Sequence, residues 1–196
     1  MKSYILLLRG INVGGTNKVP IAGLRKCLEE LGFSNVSTYI ASGNVILESD
    51  KHPTEIKARI EKALPSRFKL HSELIKVLVL SRNQLQALID NKPKGFGEQP
   101  MKYHSDAIFL MDIDSAQAMQ VFNPREGVDK VWRGDGVIYS QRLSSQRTKS
   151  RLNKIMGTPA YKSMTIRNWS TTTKLLEILK NRNGQYYRNF QTGDNS

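Results

Sequence analysis

At 196 residues, 39% hydrophobic and 24% charged, the chain has room for one large domain or two small ones, and its globular composition excludes a wholly disordered or coiled-coil protein. Thirty Lys and Arg stand against 17 Asp and Glu, a net charge of +13, which suits an anionic partner and equally suits plain solubility. The single cysteine, Cys27, excludes an intramolecular disulfide framework and a multi-cysteine zinc site.

Tyr4 to Arg9 reads as a strand buried on both faces, a short apolar run closed by Gly10. Its core, Ile5 to Leu8, falls far below the ~20 residues of a spanning helix, so no membrane partner is expected. Met1-Lys2-Ser3 leads into it without a cleavage pattern, which points to the cytoplasm. A loop rich in Gly and Asn, Ile11 to Lys18, precedes a helix that Pro20 opens and Gly32 ends, with Ile21, Leu24, Leu28 and Leu31 on one face. Strands Val36 to Ala41 and Val45 to Leu47 flank the turn Ser42-Gly43-Asn44. A helix after Pro53 turns Ile56, Ile60, Ala63 and Leu64 inward, and Leu74 to Leu80 is a further strand. Ser81-x-x-Gln84 has the form of a capping box for a short helix. The order β-α-β-β-α-β is that of a ferredoxin-like, or split βαβ, unit.

Asn91 to His104 loses all hydrophobic period and carries Pro93, Gly95, Gly97 and Pro100, so it reads as a connection between domains. Beyond it come a strand at Ala107 to Met111, a helix started by Asp114-x-x-Gln117, and a hairpin whose arms, Val128 to Arg133 and Val137 to Gln141, flank Gly134-Asp135-Gly136. A helix carrying Leu152, Ile155 and Met156 should follow, with Arg147, Arg151 and Lys154 on its outer side, then a strand at Met164 to Ile166. The element order repeats. A last helix is expected from Ser170 to Lys180 and a tail over 182–196, in which Tyr186, Tyr187 and Phe190 could dock. The expected fold is therefore α+β: a tandem pair of ferredoxin-like units, 1–90 and 105–181, joined through 91–104, with a C-terminal helix and a tail.

Charge is uneven. Arg142 to Arg188 holds eleven basic residues and one acid, Glu177; a charge run reads first as a solvated face, and the absence of interspersed acids makes a phosphate-attracting patch a reasonable second reading. Three segments could carry recognition. Arg9-Gly10-Ile11-Asn12-Val13-Gly14-Gly15-Thr16-Asn17-Lys18 sits where phosphate loops sit; Gly10 and Gly15 have Walker-A spacing, but Thr16-Asn17 stand where Lys-Ser/Thr belong, so it is not a P-loop. What remains is a backbone nest aided by Arg9 or Lys18, or a sharp exit from the strand. Ser42-Gly43-Asn44 reads as a turn. Arg167-Asn168-Trp169-Ser170 precedes a helix N-terminus that attracts anions, with Asn168, Ser170 or Thr171 as cap and Trp169 as a staple. His52, His71 and His104 have no metal-ligand spacing, no serine elbow is present, and Cys27 reads as a packing residue. The aliphatic central strands argue against base stacking on the sheet.

At these segments the chain resembles the bacterial family of unknown function numbered 1697. The resemblance rests on Leu8 to Gly15, Lys18-Val19-Pro20, Tyr39 to Val45, Thr165 to Trp169 and Thr173-Lys174-Leu175, with Ser170 where the family more often has Asn. It implies a cytoplasmic bacterial protein of two ferredoxin-like halves and no assigned activity, cofactor or catalytic residue. The expected ligand-binding positions are Arg9, Gly10, Asn12, Gly14, Gly15, Lys18, Ser42, Asn44, Arg167, Asn168, Trp169 and Lys174. The favoured function is binding of a phosphate-bearing ligand, nucleic acid foremost, without cofactor or metal. The alternatives are an enzyme or sensor for a small phosphorylated or carboxylated metabolite, and a structural or protein-partner module.

Overall fold

A computed structural model describes residues 1–12, 15–70 and 75–191, with side chains described to residue 182. It holds two four-stranded antiparallel sheets, one in each of two compact units: Met1–Leu85 with Lys174–Ser196, and Gln86–Thr173. Residues 91–104, expected to join the units, lie within the second.

In the first unit, β1 (Lys2–Arg9), β2 (Ser34–Tyr39), β3 (Asn44–Ser49) and β4 (Lys76–Ser81) form a sheet ordered β2-β3-β1-β4. β1 is central because Ile5 to Leu8 has no polar side chain to place in water and Tyr4 satisfies its hydroxyl on Lys51 O, and all five residues are buried. Tyr4, Leu6 and Leu8 share a core with Leu24, Cys27 and Leu28 of α1 (Ile21–Glu30) and Ile56, Ile60 and Leu64 of α2 (Pro53–Phe68). Each fully buried Leu or Ile contributes about 2 kcal/mol of transfer free energy. Pro20 is the N-cap of α1 rather than its first helical residue. Gly32, at φ 85°, ends that helix in a Schellman motif: Gly32 N–H donates to Glu29 O and Phe33 N–H to Leu28 O. The edge strand β4 is tied to α2 by Val77 N–H donating to Glu61 Oε1 at 2.8 Å. Ser81 and Gln84 close the expected capping box ahead of α3 (Arg82–Asp90).

In the second unit, β5 (Tyr103–Leu110), β6 (Asp129–Arg133), β7 (Val137–Leu143) and β8 (Met164–Asn168) are ordered β6-β7-β5-β8. One sheet face packs Ile108, Leu110 and Ile138 on Ala118 of α4 (Ser115–Met119), Ile155 and Met164. The other buries an aromatic cluster. Phe96, from the stretch expected to be a bare connection, is fully buried and meets Trp132, Tyr139 and Trp169 edge to face, with centroids 4.9–5.9 Å away. Tyr139 Oη donates to Leu88 O at 2.6 Å.

Between β7 and β8 the expected α-helix is absent. The chain makes three 3-10 turns, Ser144–Lys149, Leu152–Gly157 and Pro159–Ser163. Ser150 and Thr158 are extended and break the segment into pieces too short for an α-helix to propagate. Leu152 and Ile155, three apart, both face inward, which is the period of a 3-10 turn, while Met156 is left 54% exposed. The last helix, α5, begins at Trp169 and runs to Gln191, past the expected end at Lys180. Its Arg182 donates to Asn35 O at 2.7 Å and to Ser37 Oγ, at the irregularity in β2. The docking expected of Tyr186, Tyr187 and Phe190 and the strand start at Leu74 lie outside the described side chains and residues. No helix among the described residues is long and apolar enough to cross a membrane.

Candidate functional site

The first two sequence segments come together in the first unit as one interlocked pair of loops. Asn12, at φ 53°, donates from Nδ2 to Val19 O at 3.1 Å and Ala41 O at 3.0 Å, and its Oδ1 accepts from Val19 N–H at 2.8 Å. Asn17 donates to Gly10 O at 2.8 Å. Fully buried Asn44 donates to Tyr39 O and Ser42 Oγ, each at 3.0 Å. Gly43, at φ 78°, is pressed on the end of β1: Leu8 N–H donates to Gly43 O at 2.8 Å, and a Cβ on Gly43 would stand 2.9 Å from Leu8 Cβ. These side chains do the work of a backbone scaffold. They hold Ile40, whose neighbours' carbonyls are both clamped by asparagines, at φ 51° and 54% exposed. A β-branched residue in that region is strained. Arg9 pairs in register with Lys76, and Lys18 is exposed. Gly15 has open space around it, and Gly14 lies outside the described residues.

The third segment belongs to the second unit up to Thr173. Arg167 is 7% exposed, donating to Thr165 Oγ1 at 2.9 Å and Ile166 O at 2.8 Å, and burial pulls its guanidinium down to about 10. Asn168 caps α5, its Oδ1 accepting from Ser170 N–H at 2.9 Å. Trp169 is the buried first residue of the helix, not a residue outside the cap, because its indole fills the aromatic cluster. Lys174 forms an ion pair with Glu177 at 2.8 Å.

Asn168 and Trp169 also line a cleft of about 530 Å³ in this unit. β8 pairs with β5 only as far as Asp106, so Tyr103, His104 and Ser105 of β5 run on beyond it, and the start of α5 lies across the gap with Ser170 and Thr173. Ser144, at the end of β7, completes the hydroxyl-rich wall. The volume and mixed lining are those of a small-ligand site. Two ammonium groups stand over the Tyr103 ring, Lys102 Nζ 5.3 Å and Lys130 Nζ 5.8 Å from its centroid.

His104 borders the cleft at the open edge of β5, and its side chain has a partner on its own face of the sheet. Its Nε2 lies 3.0 Å from Asp106 Oδ1, and Arg142 reaches the other carboxylate oxygen at 3.8 Å. Asp106 is 9% exposed; burial pushes its carboxyl up, against the pull of His104, Arg142 and Arg147. Next to this pair in register, Asp129 opposes Arg142, and Asp129 Oδ2 accepts from Arg125 N–H and Arg151 N–H. The sequence pattern hides this pair because Asn91 to His104 reads as a connection, whereas β5 begins at Tyr103. Read as a strand, Tyr103 to Asp106 puts His104 and Asp106 two apart, on one face.

The basic segment divides by environment. Arg142 and Arg167 are buried, Arg182 holds β2, and Lys174 is paired. From Ser144 to Ser163, however, Arg147, Lys149, Arg151, Lys154 and Lys162 are all exposed, and no acid occurs in that stretch.

The comparisons add kinship without an activity. The family model "Protein of unknown function (DUF1697)" matches residues 1–139. A solved structure described as a conserved bacterial protein, SP0830 from Streptococcus pneumoniae, is 26% identical at a TM-score of 0.77, covering 92% of this chain and 99% of its own. No curated protein matches the chain.

Proposed function

We propose, from the premise that this chain belongs to the DUF1697 family of proteins of unknown function, that it is a cytoplasmic bacterial protein that binds single-stranded nucleic acid through its second unit. One observation carries the reading: five exposed cations follow one another from Ser144, at the mouth of a nucleotide-sized cleft, without an intervening acid. In this reading the 3-10 segment holds successive phosphates while Asn168, Trp169 and the hydroxyls of the cleft hold one nucleotide. We assign Gly10, Asn12, Ser42 and Asn44 to loop architecture in this reading, and Arg9 and Lys18 to a second phosphate contact within the first unit. The strand orders of the two antiparallel sheets support a tandem of ferredoxin-like units.

The test is fluorescence anisotropy with a labelled 20-nucleotide single strand over a range of salt. Binding should weaken steeply with salt, and replacing Arg147, Lys149, Arg151 and Lys154 by Ala should lower affinity for all sequences and flatten the slope by roughly 0.7 per lost contact. No binding at low salt would defeat it. The cleft itself favours a second reading, a small phosphorylated or carboxylated metabolite. A thermal-shift screen against sugar phosphates and nucleotides, in which only a free small molecule raises the melting point, would select that reading instead.

A further inference from the structure

We propose that the cleft of the second unit is a receptor for a phosphomonoester, the group that ends a nucleic-acid strand and that a free nucleotide also carries. The inference rests on the nucleic-acid reading above for the strand, and on the lining of the cleft for the phosphate.

One wall of the cleft holds a donor with nothing to donate to. Trp169 lines the cleft and is 8% exposed, yet its indole Nε1–H has no hydrogen-bond partner among the described residues. The side-chain atoms there that are both unpartnered and sealed from solvent are Asp129 Oδ1 and Arg142 Nε, so the indole N–H is open to solvent. It opens beside Gly97, another lining residue, where a Cβ would stand 2.4 Å from Nε1. Any side chain at Gly97 would cover that N–H. Gln141 fastens this corner to the sheet, its Oε1 accepting from Gly97 N–H at 3.3 Å and from Ser105 Oγ at 3.2 Å. An indole N–H donates and never accepts, so the atom that completes it is an acceptor oxygen.

The charge of that acceptor follows from the same face of the sheet. Residues two apart on a strand share a face, so Tyr103 stands beside Ser105 along β5. Register continues the face across the sheet, from Ser105 to Gln141 of β7 and on to Lys130 of β6. The ammonium groups of Lys102 and Lys130 lie over the Tyr103 ring, and neither has a carboxylate partner among the described residues. Ser144 N–H donates to Lys102 O at 3.0 Å, which sets the Ser144 hydroxyl on the cleft beside them. No Asp or Glu among the described residues lines the cleft. The start of α5, at Trp169 and Ser170, adds the positive end of a helix dipole.

A phosphomonoester matches this set. It carries about two negative charges near pH 7 and three terminal oxygens, against two ammonium groups, the indole N–H and the hydroxyls of Tyr103 and Ser144. An internal phosphodiester brings one charge and two free oxygens, and leaves donors unmet. A strand offers a monoester only at its end. The run of exposed cations begins at Ser144, on the rim, so a strand that ends in the cleft leaves it over that run.

The experiment is an anisotropy titration of the full-length protein with one single strand, labelled internally, in three forms: 5′-phosphorylated, 3′-phosphorylated, and hydroxyl at both ends. One phosphorylated form should bind at least about ten-fold more tightly than the hydroxyl form. Lys102→Ala with Lys130→Ala, both exposed, should remove that preference. The chain has two tryptophans, so the indole N–H resonance of Trp169 gives a second readout, assigned by its loss in Trp169→Phe. It should shift when the phosphorylated strand is added. Adenosine monophosphate separates the sources: a shift with the mononucleotide and no binding of any strand keeps the phosphomonoester site and overturns the nucleic-acid reading. Strands that bind equally whatever their ends overturn this inference and spare that reading. A resonance that neither strand nor mononucleotide moves overturns the inference, as does a preference that survives loss of both lysines. The comparison of strand ends needs no variant, so it decides the matter even if a substitution unfolds the unit.

Discussion

Gly97 shows how much a single position can fix. It sits at φ 74°, and a Cβ there would stand 2.3 Å from Trp169 Cδ1. Neither the ring, wedged against Phe96, nor the backbone has anywhere to go. Gly97→Ala should therefore lower stability by about 2–3 kcal/mol, read by urea denaturation with tryptophan fluorescence. Ile40 should behave in the opposite sense. Its side chain is more than half exposed while its backbone is left-handed, so Ile40→Gly relieves strain and should raise stability by roughly 1 kcal/mol in the same assay. Tyr139 gives a pH signature. Burial pushes its phenol up to about 12, so the folded state keeps the proton that the unfolded chain releases near 10. The stability this provides is fully present below pH 10 and is lost as pH rises from there towards 12. Tyr139→Phe should be destabilised by about 1 kcal/mol at pH 9, through the lost bond to Leu88 O, and the gap to the wild type should narrow above pH 10. A gap constant with pH would show that the phenol titrates alike in both states.

At the scale of elements, the loops after β1 and before β3 are one structure. The chain leaves β1 through Gly10 and is held by Asn12, which bonds to both its own loop and the β2–β3 turn. Asn12→Ala removes three hydrogen bonds and strands the carbonyls of Val19 and Ala41. We expect a loss of about 2 kcal/mol by chemical denaturation, and amide hydrogen exchange that rises in residues 39–44 as well as in the loop that carries the substitution. The second unit builds the matching corner by the same means with other residues: Leu110 N–H donates to Gly136 O as Leu8 N–H does to Gly43 O, and Asp112 at φ 60° stands where Gly10 at φ 84° stands. Asx and glycine chemistry of this kind was visible in the sequence as a turn signal. Which turn clasped which loop was not, since a hydrogen bond from Asn12 to Ala41 crosses 29 positions that no local pattern encodes.

At the scale of the molecule, charge segregates by role. The basic C-terminal third looked like one continuous patch in sequence. Folding withdraws Arg142 and Arg167 into the sheet and ties Arg182 to β2, and it presents the 3-10 segment to solvent. Any electrostatic attraction to nucleic acid should accordingly concentrate in Arg147, Lys149, Arg151 and Lys154, and Arg25→Ala with Lys26→Ala, exposed charges on α1 of the first unit, should leave affinity within about two-fold of wild type in the anisotropy assay.

The sequence by itself determined the element order of the first unit, the central place of β1, the Schellman stop at Gly32, the capping box at Ser81, the burial of Cys27 and the family, because these depend on local sterics, on short-range hydrogen bonds and on alternation of apolar residues. Only the tertiary structure decided that Phe96 is a core residue, that residues 144–163 form 3-10 turns rather than an α-helix, and that His104 stands with Asp106 at a cleft's edge. The physical reason is that burial of a lone aromatic, the breaking of a short helix and the end of a strand's pairing are settled by what packs against them from distant parts of the chain.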